Sequence, residues 1–385
     1  MRILHTADWH VGKKLSRFDR MDDHAAVLEE IVQIADEEKV DLVVVAGDLF
    51  DRPFPPVDAL KLTMETLRRL ATKARPVVAI AGNHDSPELF ELLAPLVVAW
   101  NIHLVGYIKR PAEGGVLDLR AGEQRVLVAC FPFLREGKVV DFMQETDAWY
   151  GQYAERVALL CQAYNDHLEK HRDASTVTLM AAHFIVSGAR LGGHGAQRGE
   201  RLLHIGEAYT ATEQAIPPGP QYVALGHVHA PQRVTGAAVP AEYAGSLLEL
   251  DFGEAGEKKR VVLVDARPGL AATVTSREFT AGRRLVRARG TLEELAARED
   301  LQQAFVDLTV RVDGPDDTLA NRAREAFPHL VKVAPEYERA EAPELPLRQD
   351  MPWDKLYEAY FLEKHETTPS EELMAAFREI YEEVA

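Results

Sequence analysis

Leu42-Val43-Val44-Val45-Ala46-Gly47-Asp48 is an unbroken aliphatic run that ends in a turn and a carboxylate. A short apolar run without alternation predicts a strand buried on both faces, and open α/β sheets gather ligands just beyond the carboxyl ends of such strands. Four other segments repeat the arrangement. Strands predicted over 2–7, 76–81, 176–182 and 222–225 run into Asp8-Trp9-His10, Gly82-Asn83-His84-Asp85, His183 and Gly226-His227-Val228-His229. The spacing places all five motifs on one edge of one sheet. A Gly-Asp pair or a lone histidine is commonly a turn former or a satisfied surface group. It is the ordered set that carries a reading, because a metal or catalytic assignment needs several convergent groups.

The residue types fit one chemistry. Two divalent cations about 3.5 to 4 Å apart activate a water, hold a phosphate and stabilise charge on both the attacking and leaving oxygens. Such a pair needs a bridging carboxylate, for which Asp48 is the natural choice, since each oxygen can serve one ion. Asp8, His10 and His229 complete the first ion, and Asn83, His183 and His227 the second. An amide and several imidazoles beside two carboxylates leave the site net positive, which suits an anionic phosphate. Mixed nitrogen and oxygen donors favour manganese, iron or zinc over magnesium. His84 stands beside a ligand, just before a helix opened by Ser86-Pro87-Glu88, where a protonated imidazole would stabilise the transition state or protonate the leaving oxygen. Asp51 and Asp85 are read as groups behind the ligands that orient their histidines.

The motif set resembles the calcineurin-like metallophosphoesterase superfamily, and within it the SbcD family of nuclease subunits. The resemblance covers nearly the whole chain. It is carried by Met1-Arg2-Ile3-Leu4-His5-Thr6-Ala7-Asp8-Trp9-His10-Val11-Gly12, by Gly47-Asp48-Leu49-Phe50-Asp51, and by Tyr243-Ala244-Gly245-Ser246 leading to Asp251-Phe252-Gly253-Glu254. It implies an α/β sandwich of β-sheets flanked by helices, with a small α/β capping domain and a C-terminal helical segment that binds a partner. It further implies a cytoplasmic, nucleoid-associated homodimer that joins an SbcC-type SMC-like ATPase. The implied activity is ATP-dependent 3′-to-5′ exonuclease action on duplex ends, with endonuclease action on single strands and hairpins, in DNA repair and recombination. Mn2+ is the expected metal. Some relatives carry a second histidine where this chain has Asp51, and many have a serine-rich stretch where the loop 187–201 ends in Arg198-Gly199-Glu200-Arg201.

At 385 residues and 46% hydrophobic content the chain has material for a substantial core and more than one unit. Polar and charged residues from His5 and Asp8 onward interrupt any secretory signal, and no apolar run approaches the roughly 20 residues of a membrane span. Cys130 and Cys161 read as reduced core residues. The net charge of −17 opposes a DNA enzyme, because nucleic-acid binding draws on clustered Lys and Arg that displace phosphate counterions. A basic rim must therefore be local: Lys13, Lys14, Arg17 and Arg20 after the first motif, Arg52 after the second, and Arg190, Arg198 and Arg201 beyond His183. No Walker-type phosphate loop is present, so ATP dependence would come from the partner.

Residues 1–275 carry the five motifs and form the nuclease domain, with an apolar face on Val27, Leu28, Ile31, Ile34 and Ala35 and two striped helices over 57–70 and 87–99. Part of the latter surface is expected to make the homodimer. The capping domain, 283–337, reads strand, helix, strand, helix, strand. A Pro- and charge-rich linker, 338–352, leads to the segment 353–385. There Thr368-Pro369-Ser370-Glu371 supplies a cap, an N-terminal proline and a capping-box glutamate, so a helix is predicted to start at that point. Leu373, Phe377, Ile380, Tyr381 and Val384 stripe that helix, and Trp353, Leu356, Tyr357, Tyr360 and Phe361 mark an earlier one. This aromatic surface is expected to meet the ATPase.

Two other functions share the ligand set. A phosphoesterase of small phosphate esters or cyclic nucleotides needs neither cap nor partner-type tail. A catalytically dead scaffold would have lost ligands, and all are present here.

Overall fold

The computed structural model describes residues 1–135, 153–190, 210–337, 352–365 and 367–384. They fall into two compact units, one of 1–312 with 316–336, the other of 313–315 with 337–385. The first unit is built on two six-stranded sheets. One runs in the order Thr273–Glu278, Arg260–Asp265, Arg2–Thr6, Leu42–Val45, Val77–Ile80, Ile102–Val105, its last four strands parallel. The other runs Gln232–Arg233, Ala241–Tyr243, Tyr222–Gly226, Val177–His183, Gln124–Phe131, Val116–Ala121.

The sheets stack face to face, and this explains the unbroken apolar runs. In Leu42–Val45, Val43 and Val45 pack with Val27, Ile31, Leu67 and Leu70 of the helices Met21–Glu37 and Val57–Leu70. Leu42 and Val44 instead join Val128, Leu179 and Ala224 of the opposite sheet. Successive strand residues point to opposite faces, so a strand between a helix layer and a second sheet must be apolar throughout. The helix Tyr153–His171 covers the outer face of the second sheet through Leu160, Tyr164 and Leu168. The expectation of one sheet edge is thereby corrected. The motif strands at residues 2–6, 42–45 and 77–80 lie in the first sheet, and those at 177–183 and 222–226 in the second. A continuous apolar run reports burial of both faces without saying whether helix or sheet does the covering.

The same unit contains a parallel three-stranded sheet, Leu285–Gly290, Phe305–Arg311 and Leu330–Glu336, with its own core of Leu295, Val306, Leu308, Leu319, Phe327 and others. Its first helix, Leu292–Ala296, opens on a capping box between Thr291 and Glu294. A short helix absent from the sequence reading, Glu299–Gln303, follows. Arg20 is 1% exposed and joins this sheet to the sandwich, donating to Glu249 O (2.5 Å) and Arg283 O (3.2 Å) and lying over the Phe305 ring.

In the second unit, helices Trp353–His365 and Glu371–Val384 stack Tyr357 on Phe377, with ring centroids 4.2 Å apart. The second helix starts later than the Thr-Pro signal predicts: Ser370 accepts from Leu373 N at 3.2 Å and is the cap. Either hydroxyl could serve by type, and the one within reach of the third helical amide wins.

Candidate metal centre

Asp8, His10, Asp48, Asn83, His183, His227 and His229 all reach one cleft at the carboxyl ends of strands from both sheets. Their ring nitrogens and carboxylate oxygens cluster as Asp8 with His10 and His229, as His10 with Asp48 and His84, and as Asp48 with His183 and His227. Asp48 belongs to two of the three groups. Its Oδ2 lies 3.4 Å from His183 Nε2 and 3.7 Å from His10 Nε2.

The backbone is bent to achieve this. Asp8 (φ 52°), His10 (φ 47°), Asp48 (φ 52°) and His227 (φ 92°) all sit at positive φ, a conformation that costs side chains of L-residues energy and gathers at functional sites. Two glycines clear the space. A Cβ on Gly82 would collide with Oδ1 of Asp48, and one on Gly47, itself at φ 97°, would collide with the His183 ring.

Hydrogen bonds then aim the rings. His183 Nδ1 donates to Ala46 O at 2.7 Å, which directs Nε2 at Asn83 Oδ1 (3.0 Å) and His227 Nδ1 (3.3 Å). His227 Nδ1 is 2.7 Å from the same Asn83 oxygen. On the other side, His10 Nε2 and His229 Nε2 face each other at 3.1 Å. Electron-rich atoms converging in this way repel unless positive charge lies among them, so the donor set fits cations. The protonation tendencies agree. Burial opposes a charge on His183, but Asp48 overrides it and pushes its pKa up to about 9. Asp48 is likewise held well below the usual carboxylate range despite its burial, by His183 and then His84 and His10. Burial raises Asp8 to about 6 and lowers His227 to about 3, the latter helped by His183.

The calcineurin-like phosphoesterase profile matches residues 1–231, and a profile described as Type 5 capsule protein repressor C-terminal domain matches 281–355. The chain is 32% identical to the SbcD subunit of the nuclease SbcCD from Bacillus subtilis (strain 168) over 99% of its own length and 97% of the relative's. The chain is a calcineurin-like phosphoesterase of the SbcD family. The SbcD subunits of Rhodobacter capsulatus (32% identity, 70% of this chain, 68% of the relative) and Escherichia coli K12 (28% identity, 81% and 78%) align with it as well. Calcineurin-like phosphoesterases depend on divalent metal, and the clustered donors of this member are of the kind that holds it.

Around the phosphoesterase centre the other site residues sort differently from the sequence reading. His84 Nδ1 donates to the main-chain carbonyl of Asp51 at 2.9 Å, and its ring meets that of His10 edge to face at 4.7 Å. Asp51 contributes its carbonyl to His84, while its carboxylate pairs with Lys13 at 3.0 Å and stands 3.9 Å from His10 Nδ1. Asp85 orients no histidine. Its carboxylate is fully buried and accepts from the amides of Leu49 (3.1 Å), Phe50 (3.0 Å) and Gly82 (3.0 Å), pinning the two ligand loops together. Burial, then the charge on Asp48, raises its pKa to about 7.

Three residues were missed. Glu254 Oε1 is 2.9 Å from His229 Nδ1, Phe133 stacks on His227 at 5.7 Å, and Arg135 donates to Asp85 O at 2.6 Å and Asn83 O at 3.4 Å. Only Glu254 carried a sequence signal, as part of Asp251-Phe252-Gly253-Glu254. Of the basic rim, Lys14, Arg17, Arg52 and Arg190 are exposed, with Arg17 also donating to Leu330 O at 3.3 Å. Arg20 is buried and leaves the rim, because its charge is taken up at the junction with the three-stranded sheet. Arg198 and Arg201 lie outside the described residues.

Proposed function

We propose that this chain is the nuclease subunit of an SbcCD-type complex, hydrolysing DNA phosphodiesters at a two-ion centre with Mn2+ as the working metal. The supporting observation is the placement of Asp48, whose one carboxylate faces the histidines of both ligand groups at 3.4 and 3.7 Å. When bound, the two ions supply an activated water and charge stabilisation on the scissile phosphate. The chain's own residues do the rest. Asp8, His10 and His229 hold one ion, Asn83, His183 and His227 the other, and Asp48 both. His84 spends its Nδ1 proton on Asp51 O, which leaves Nε2 to donate to the developing charge or leaving oxygen.

The relatives' names support DNA as substrate and an SbcC-type ATPase as partner, hence ATP-dependent 3′-to-5′ exonuclease and single-strand or hairpin endonuclease activity in repair and recombination. The three-stranded sheet, 283–337, is read as the capping domain, 338–352 as a linker and 353–385 as the ATPase-binding segment. Trp353, Leu356, Tyr360 and Tyr381 are exposed there, while Phe361, Leu373 and Phe377 are half-buried between the helices. The side chain of Ile380 lies outside the described residues. A homodimer is read on Phe54, Val57, Leu92 and Leu96, which are 65 to 86% exposed, more apolar surface than a lone face carries. Among the described residues no helix is long and apolar enough to cross a membrane.

Incubation of purified protein with labelled duplex DNA and with an aryl phosphodiester in Mn2+ tests the reading. Cleavage of DNA supports it, and turnover of the small ester alone assigns the site to small phosphate esters instead.

A further inference from the structure

We infer that Glu254 is a positioning residue for His229, and that the loop carrying it ties this ligand to the three-stranded sheet, so that the seating of that sheet sets how firmly the first ion is held. The inference rests on the reading of Asp8, His10 and His229 as one ion's ligands.

Glu254 is 3% exposed, and each of its oxygens is committed. Oε1 takes His229 Nδ1 at 2.9 Å. Oε2 takes Lys259 Nζ at 2.8 Å, Leu250 N at 3.1 Å and Ser246 Oγ at 3.3 Å. An ionised carboxylate only accepts, so Nδ1 must carry the proton and the Nε2 lone pair is turned into the cleft. Lys259 Nζ also donates to His229 O at 3.0 Å. One buried ion pair therefore holds both the ring and the main chain of the ligand.

The loop's other fixed point is Glu249, which is 2% exposed. Its carboxylate accepts from Gly256 N at 2.7 Å, within the same loop, and from Leu285 N at 2.6 Å, the first residue of the strand Leu285–Gly290. Arg20 fastens the junction further, bonding Glu249 O and Arg283 O and reaching Phe305 in the neighbouring strand. The path from Leu285 through Glu249 and Glu254 to His229 consists of buried hydrogen bonds and one short loop, which is the kind of contiguous, stiff network that carries coupling between distant groups. Packing alone does not call for two buried carboxylates here, since apolar residues of similar volume often stabilise as well or better.

The test is Mn2+ binding to the full chain, followed by calorimetry and by the electron paramagnetic resonance signal of the paired ions, with melting curves in chelator as the folding control. Glu254→Gln keeps the size of the side chain and leaves Lys259 paired with Glu257 at 2.8 Å. It is expected to bind one of the two ions roughly 10- to 100-fold more weakly, with loss of the paired-ion signal and an unchanged second ion. Glu249→Gln touches no ligand and is expected to weaken the same ion by about 2- to 30-fold, which keeps the proposal testable should Glu254→Gln lose its fold. Wild-type affinity in Glu254→Gln overturns the positioning role, and wild-type affinity in a folded Glu249→Gln overturns the link to the sheet. A wild-type chain that binds fewer than two ions contradicts the ligand assignment itself, a failure visible before either variant is measured.

Discussion

The main-chain amide of His84 donates to Asp48 Oδ1 at 2.7 Å. One oxygen of the central carboxylate is thus held by the turn that carries the candidate acid, and the other is left facing His10 and His183. Replacing Asp48 should remove both roles. Asp48→Ala is expected to lose the paired-ion signal and to reduce Mn2+-dependent cleavage by on the order of 10³-fold or more, the scale for removing a central electrostatic stabiliser. Cleavage rates and metal titration check this.

His84 is bonded through Nδ1 to a main-chain carbonyl and is not required by either ion in the proposed ligand assignment. His84→Gln should bind both ions as the wild type does while kcat falls by about 10²- to 10⁴-fold. Parallel loss of metal would make His84 a ligand. Because Asp51 holds His84 through its main chain, Asp51→Asn should cost far less in kcat than His84→Gln.

Gly82 is needed for lack of a side chain, since any Cβ would enter the space of Asp48 Oδ1. Gly82→Ala is expected to lower stability by about 1–3 kcal/mol and to weaken metal binding more than an alanine at the exposed Gly314, where a Cβ meets nothing. Denaturant midpoints and Mn2+ titrations of the two variants decide it.

His24 is buried, bonded through Nδ1 to Arg20 O at 2.9 Å, and lowered by burial from 6.5 to about 4. The unfolded chain takes up this proton below pH 6.5 and the folded chain does not until about pH 4, so stability is lost as pH falls through that window. The slope is about 1.4 kcal/mol per pH unit for a single site. Asp8 and Asp85, raised by burial, act in the opposite sense, so the test is a difference. Urea midpoints of His24→Gln should fall less steeply than those of wild type between pH 6.5 and 4, and equal slopes would contradict the assignment.

The helices Trp353–His365 and Glu371–Val384 pack on each other and belong to the second compact unit. Deleting 350–385 should leave the melting curve of the metal-binding unit unchanged and abolish capture by the ATPase. Loss of the fold would place these helices in the core.

How much of this was legible in sequence follows from what each residue answers to. The ligands of the metal centre announce themselves because each directly follows an apolar strand, and strand ends are where such sites form. Their division between two sheets does not, because Val43 and Val44 look alike whether helix or sheet covers them. Asp85 read as a partner of histidines, yet its oxygens satisfy the amides of Leu49, Phe50 and Gly82, bonds that exist only once the loops meet. Glu254 lies 25 residues beyond His229 along the chain, in a loop without periodicity, and only the folded path of Ser246 to Lys259 returns it to the ligand. Arg20 followed a motif and carried a charge, and nothing local distinguished a buried junction from a rim.

The central claim is tested most directly by cleavage of an end-labelled DNA duplex and a hairpin in Mn2+, comparing wild type with Asp48→Ala, each with and without the ATPase partner and ATP. The account predicts cutting by the wild type, stimulation by ATPase with ATP, and loss of cutting in the variant. Undiminished cutting by Asp48→Ala, or no DNA cutting under any condition while an aryl phosphodiester is turned over, would contradict it.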